Sequence, residues 1–236
     1  MAESARRTAD VCWGSPDDSA LKEPALDRRL LLWTATVAAL LLAAGLLWLD
    51  RPIAEWVRAG GIEQARFFAY GLMALDTITA LSVWFWGIGC ATLAIGLIGF
   101  AIRRADRWPR ALIASALVQF ATLQTMILGK DHFGRMRPQQ VLDSGDWSHV
   151  WFVGGGSFPS GHSAFYFGLL LPLAAACPLR WLRALLIAIP VFVVLARIDL
   201  AKHFLSDVSA SALIAATYAL IAATLIRRWL PAPVRT

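Results

Sequence analysis

The stretch LLLWTATVAALLLAAGLLWL, residues 30–49, decides the fold. It runs twenty residues without a charged side chain. A helix of that length rises about 30 Å, the thickness of a bilayer's hydrocarbon core. Further apolar runs follow at 79–102, 111–129, 162–177, 184–196 and 208–230. The fourth and fifth are shorter, and Pro190 interrupts the fifth. The pattern predicts an all-α, polytopic membrane protein: a bundle of six transmembrane helices over 29–230. A polar cytoplasmic tail is expected at 1–28 and a short one at 231–236. No cleavable signal peptide is expected, because the first apolar run is long enough to remain as an anchor.

The composition agrees. Hydrophobic residues make up 58% of the chain and charged residues 16%, against about 45–50% apolar in an ordinary soluble domain. The net charge of +6 invites a nucleic-acid partner, but the Lys and Arg fall between apolar runs and read as topology signals and anion ligands, so no nucleic acid is expected. Cys12, Cys90 and Cys177 lie far apart and form neither a disulfide framework nor a zinc pattern. Residues 51–76 are mixed. Ile53, Trp56 and Val57, then Phe67, Phe68 and Leu72, suggest a short amphipathic helix lying on the membrane surface, either a lid or lipid ramp or a passive element.

Basic residues are unevenly placed. With six spans, fourteen of the 22 Lys and Arg fall on one side and eight on the other. The richer side is expected to be cytoplasmic. Three polar clusters then share the opposite, outward face: 130–138, 159–162 and 197–207.

Each cluster has a chemical reading beside a plainer one. In the first, Lys130 and Arg137 are seven residues apart, so they point the same way if the helix continues past Gly129. Lys offers a point charge and Arg a planar fork for phosphate oxygens. Pro138 would end that helix. The same charges would also suit snorkelling at a span end. In the second, Ser160 is a natural N-cap. Gly161 lets backbone approach an anion at a helix start, and His162 sits in the first turn as a candidate general acid. Plain capping is the alternative. In the third, Arg197 ends a span, and His203 and Asp207 are four apart. On a helix they share a face, where a carboxylate can fix the tautomer of a nucleophilic imidazole. A structural His–Asp contact is the alternative.

Taken together, Lys130-x6-Arg137-Pro138, Pro159-Ser160-Gly161-His162 and Arg197-x5-His203-x3-Asp207 resemble the type 2 phosphatidic acid phosphatase superfamily. One position departs from the family pattern: Ala196 stands where a Ser is usual. The resemblance implies that His203 attacks phosphorus to form a phosphohistidine, that Asp207 orients it, and that His162 protonates the leaving oxygen. It implies that Lys130, Arg137, Ser160, Gly161 and Arg197 hold the phosphate. It implies no metal and no other cofactor. Arg135 and His132, in the same loop, are expected to meet the substrate head group.

The soluble haloperoxidase branch of the family does not fit a chain with these spans. Relatives of this short form act on lipid A, undecaprenyl diphosphate or phosphatidylglycerophosphate. The expected partners are therefore a membrane lipid phosphate and the bilayer, at a bacterial inner membrane with the site facing the periplasm. Two rivals remain open at this point. A phosphotransferase would use the same intermediate. A non-catalytic anionic-lipid transporter would use the same cations, although transporters place charge near the bilayer midplane. Oligomeric state is left open.

Overall fold

A computed structural model describes residues 26–60, 66–81, 83–103 and 106–229, the last three as backbone only. Every regular element among the described residues is helical. Helix α1 is Arg28–Ala44, continued by a π-helical turn at Gly45–Leu49 into α2, Asp50–Ala59. Then come α3 (Arg66–Ile78), α4 (Gly87–Ile102) and α5 (Arg107–Phe133). The short α6 (Pro138–Ser144) precedes α7 (Gly161–Ala176), α8 (Arg180–Asp199) and α9 (Leu205–Trp229). Of the expected tails, 231–236 and most of 1–28 lie outside the described residues.

Four helical stretches are long and apolar enough to cross a membrane: Arg28–Ala59, Arg107–Ser144, Arg180–Asp199 and Leu205–Ile226. Two shorter apolar helices, Gly87–Ile102 and Gly161–Ala176, accompany them. The described residues thus form the all-helical bundle of a membrane protein, with four candidate spans where the sequence predicts six. Its outer face carries Trp33, Leu40, Leu47, Trp48 and Ile102, large apolar side chains that are exposed and suited to lipid. Four sequence expectations change in detail. The second apolar helix starts at Gly87 rather than 79. Pro190 lies inside α8 without ending it, as neighbouring helices in a bundle permit. The polar stretch between the third and fourth apolar runs, which holds Arg135, is not all loop: it contains α6. The described residues of 51–76 form parts of two helices, α2 and α3, and α2 continues directly from α1 rather than standing alone on the surface.

The bundle is built around α7 and α9. Helix α9 packs against α1, α5 and α7, and α7 also packs against α5 and α8. The buried face of α9 is Ala210, Ala212, Ala215, Ala216, Ala219 and Ala223. Hydrophobicity cannot drive helices together in lipid, so small residues that allow close backbone approach do that work. Polar contacts add to it: Gln119 Nε2 donates to the Phe165 carbonyl, and Thr125 Oγ1 lies 2.8 Å from the Tyr218 hydroxyl. At the end where α1 begins, Asp27 caps the helix through the Arg29 and Leu30 amides and accepts from Arg183 on α8 at 3.0 Å.

The C-terminal ends of α5 and α8 and the N-terminal ends of α7 and α9 meet at one end of the bundle. Helix N-termini favour negative charge, and the four ends carry Lys130, Arg197, His162 and Asp207.

Candidate active site

At that end lies a cavity of about 430 Å³. Lys130, Arg137 and Arg197 form its cationic wall, with Gly161, His162 and His203 beside them. Leu81, Phe85, Met126 and Ile127 form an apolar wall, and Asp76 completes the lining. Three clusters distant in sequence thus share one pocket.

Local chain chemistry explains each placement. Helix α5 does continue past Gly129, but it stops at Phe133. Gly134 takes φ +48, the left-handed region where glycine is unstrained. Arg137 therefore reaches the pocket from the turn, as the N-cap of α6, and not as the second residue of a helical pair with Lys130. Pro138 opens α6 instead of ending α5, which fits a proline's tolerance for the first helical turn. Lys130 Nζ donates to the Gly156 carbonyl at 2.7 Å. Ser160 is the N-cap of α7, yet its hydroxyl makes no cap bond. Among the described residues, Ser160 Oγ and Arg197 Nε are buried without a protein partner. Buried polar groups are almost always satisfied; Arg197 lines the cavity and Ser160 precedes Gly161, which lines it too, so both atoms could donate to an anion held there.

His203 lies just before α9, 2% exposed. Its Nδ1 is 2.8 Å from the Ser157 carbonyl. A carbonyl only accepts, so Nδ1 carries the proton and Nε2 keeps its lone pair. Asp207 Oδ2 is farther from Nδ1, at 3.6 Å. The carbonyl is thus the main orienting partner, with Asp207 an electrostatic one. Burial pushes the His203 imidazole down to about 4, and the Arg197 and Lys130 charges push the same way. Asp207 opposes the shift without cancelling it. The ring is therefore neutral at neutral pH, the state a nucleophile needs. Because α9 starts at Leu205, His203 and Asp207 meet through the helix start: Asp207 Oδ2 accepts from the Phe204 amide at 2.8 Å and from Ser157 Oγ at 2.5 Å.

Arg135, expected at a head group, lies outside the lining of that cavity. It is 4% exposed and donates to Asp207 Oδ1 at 2.6 Å, Asp50 Oδ2 at 2.7 Å and Ser206 Oγ at 2.6 Å. Its guanidinium lies between the rings of Trp151 and Phe204, 4.3 and 4.0 Å from their centroids. It therefore holds Asp207 from behind. Asp50 reaches Arg135 because the π-helical turn shifts the register between α1 and α2. Gly45 makes that approach possible: a Cβ there would meet the Ser206 amide nitrogen at 2.8 Å. His132 is exposed and packs edge-on against Phe133, outside the cavity lining.

The motif spacing does not reveal Asp50, Asp76 or Ser157. A signal for the two aspartates does exist. Each is a lone carboxylate beside an apolar run, and ionisable residues at such positions are functional candidates.

An all-helical membrane bundle whose end gathers three cations and two imidazoles defines a class: a phosphate-handling membrane protein. The family model of the PAP2 superfamily matches residues 108–231, and the chain belongs to that superfamily. Neither a curated protein nor a solved structure matches the chain. Members of the superfamily are phosphatases, and membership supports phosphoester chemistry of that general kind.

Proposed function

We propose that the protein is an integral-membrane lipid phosphatase that works through a phosphohistidine. The observation that carries this reading is the His203 ring, neutral and held at Nδ1 by the Ser157 carbonyl, on a cavity walled by Lys130, Arg137 and Arg197. Nε2 attacks phosphorus in line with the leaving oxygen. The three cations, the Ser160 hydroxyl and the Gly161 amide at the start of α7 hold the non-bridging oxygens and the charge that builds on them. Arg is suited to bidentate phosphate contact and Lys to a point contact. His162 gives a proton to the leaving oxygen and then activates water to release phosphate. The apolar wall of Leu81, Phe85, Met126 and Ile127 suits a lipid rather than a sugar or nucleotide leaving group.

The substrate is a phosphomonoester or diphosphate of a membrane lipid, with lipid A, undecaprenyl diphosphate and phosphatidylglycerophosphate as the candidates. The excess of basic residues on the opposite side supports an outward-facing site in a bacterial inner membrane. The test is phosphate release by detergent-purified protein from those three lipids and phosphatidic acid, with His203→Ala alongside. Release from one lipid, lost in the variant, supports the reading. Release retained in His203→Ala overturns the covalent route. Transfer of labelled phosphate to a second lipid, without free phosphate, replaces hydrolysis by phosphotransfer.

A further inference from the structure

Asp76 sits on α3, outside the 108–231 stretch that matches the family. Its Oδ2 is 3.0 Å from His162 Nε2. Its Oδ1 accepts from the Tyr166 hydroxyl at 3.2 Å, and that hydroxyl lies 3.2 Å from Thr79 Oγ1. Tyr166 is 1% exposed, so one end of this chain of contacts is anchored in the core. A carboxylate only accepts, so Nε2 carries a proton whenever the contact is made. The nitrogen left for the substrate is Nδ1. His203 is arranged the opposite way, with Nδ1 held and Nε2 free. The two imidazoles of the pocket are thus fixed in opposite tautomers by two different oxygens.

We infer that Asp76 is the positioning residue of the general acid, holding His162 with its proton on Nε2 so that Nδ1 serves an alkoxide leaving group, and that the site is thereby fitted to phosphate monoesters of alcohols rather than to diphosphates. This inference rests on the phosphatase reading above. In the first step the His203 Nε2 lone pair forms a bond to phosphorus as the phosphorus–oxygen bond breaks. The electron pair goes to the leaving oxygen, which takes the Nδ1 proton of doubly protonated His162 and departs as an alcohol. Neutral His162 remains, its proton on Nε2 against Asp76. In the second step water oxygen bonds to phosphorus while a water proton moves to the vacant Nδ1. The phosphorus–nitrogen bond breaks, its pair returns to His203 Nε2, and inorganic phosphate leaves. Without Asp76 the neutral ring could place its proton on Nδ1, and the base needed for the second step would be lost.

The preference for alcohols follows from two features. An alkoxide is a strong base and needs the proton in the transition state. The lipid monophosphate released from a diphosphate is a weak base and leaves without one. In addition, Asp76 lines the cavity beside His162, the general acid of the mechanism proposed above, where a second phosphate would meet a carboxylate. Like charges so placed are unfavourable.

The test compares leaving groups. Wild-type protein, Asp76→Asn and Tyr166→Phe are assayed in detergent micelles on phosphatidic acid, on farnesyl diphosphate and on p-nitrophenyl phosphate, whose phenolate leaves unaided. An Asn amide can turn its NH₂ to the ring and favour the wrong tautomer. In Asp76→Asn, kcat on phosphatidic acid should fall about 10- to 100-fold, while kcat for the first, phenolate-releasing step on p-nitrophenyl phosphate falls about twofold or less. Single-turnover phenolate release isolates that step. Tyr166→Phe removes one anchor of the carboxylate and should show the same selectivity with a smaller loss, which keeps the question answerable if Asp76→Asn does not fold. Wild-type protein should turn over phosphatidic acid faster than farnesyl diphosphate. Equal losses on both monoesters, no loss at all, or faster turnover of the diphosphate would overturn the inference while leaving the phosphatase reading intact. Wild-type protein that releases no phosphate from any substrate would overturn both.

Discussion

Replacing Arg135 by Met separates two roles for this residue. Its guanidinium pairs with Asp50 and Asp207, whose relative exposures are 7% and 0%. Met keeps much of the side-chain volume and removes the charge, so both carboxylates lose their cationic partner in a buried setting. Breaking a buried pair from one side costs about 3–5 kcal/mol, because the remaining charge is uncompensated. For a chain of this size each kcal/mol moves the midpoint by about 2–4 °C, so the melting temperature should fall by about 6–20 °C. The assay is thermal unfolding in detergent, followed by intrinsic fluorescence, with steady-state kinetics on whichever lipid is hydrolysed. Stability and kcat should fall while KM stays within about twofold, since Arg135 is buried and lies outside the cavity lining. Adding Asp50→Asn to Arg135→Met should recover part of the loss, because one of the two stranded charges is then gone. A variant with unchanged melting temperature and a raised KM would refute this reasoning and return Arg135 to the head group.

Lys130→Met should lower kcat about 10²–10³-fold, the usual effect of removing one donor to a transition-state oxyanion, and steady-state kinetics measure it directly. The His203 imidazole falls from 6.5 to about 4 on folding. Between those values the unfolded chain binds the extra proton, so stability declines as pH falls from 6.5 towards 4, by about 3 kcal/mol in total. His203→Gln should flatten that part of the stability–pH curve, as unfolding scans at pH 7, 5.5 and 4.5 would show. Gly45→Ala should destabilise by about 1–3 kcal/mol, because the added carbon meets the Ser206 amide nitrogen and Asp50 Oδ1 at 2.8 and 2.9 Å; a denaturation midpoint equal to wild type would contradict the close contact.

The membrane class was legible because apolar runs are a local signal, and the cationic end was legible because its residues sit in three compact motifs. Details that depend on one backbone angle were harder to read. The spacing of Lys130 and Arg137 suggested a shared helical face, yet the left-handed Gly134 ends the helix between them. Arg135 looked like a head-group ligand because it is a cation in the right loop. Its direction is set by Asp50, 85 residues away, through a register shift at the π-helical turn. Asp76 lies 86 residues from His162, and no pattern in the chain links the two. Ser157 acts through its carbonyl, which every residue has, so side-chain chemistry could not single it out.

Both histidines depend on a carboxylate from the first third of the chain. His162 meets Asp76 directly, and Asp50 reaches His203 through Arg135 and Asp207. The recognisable family segment, 108–231, therefore carries the reactive groups without all of their supports. Grafting that segment onto another protein's leading helices would keep every motif residue and still misplace the chemistry. A working chimera would have to carry residues 45–50 and 76 along with it, so recombination between relatives is constrained at points that motif comparison leaves unmarked.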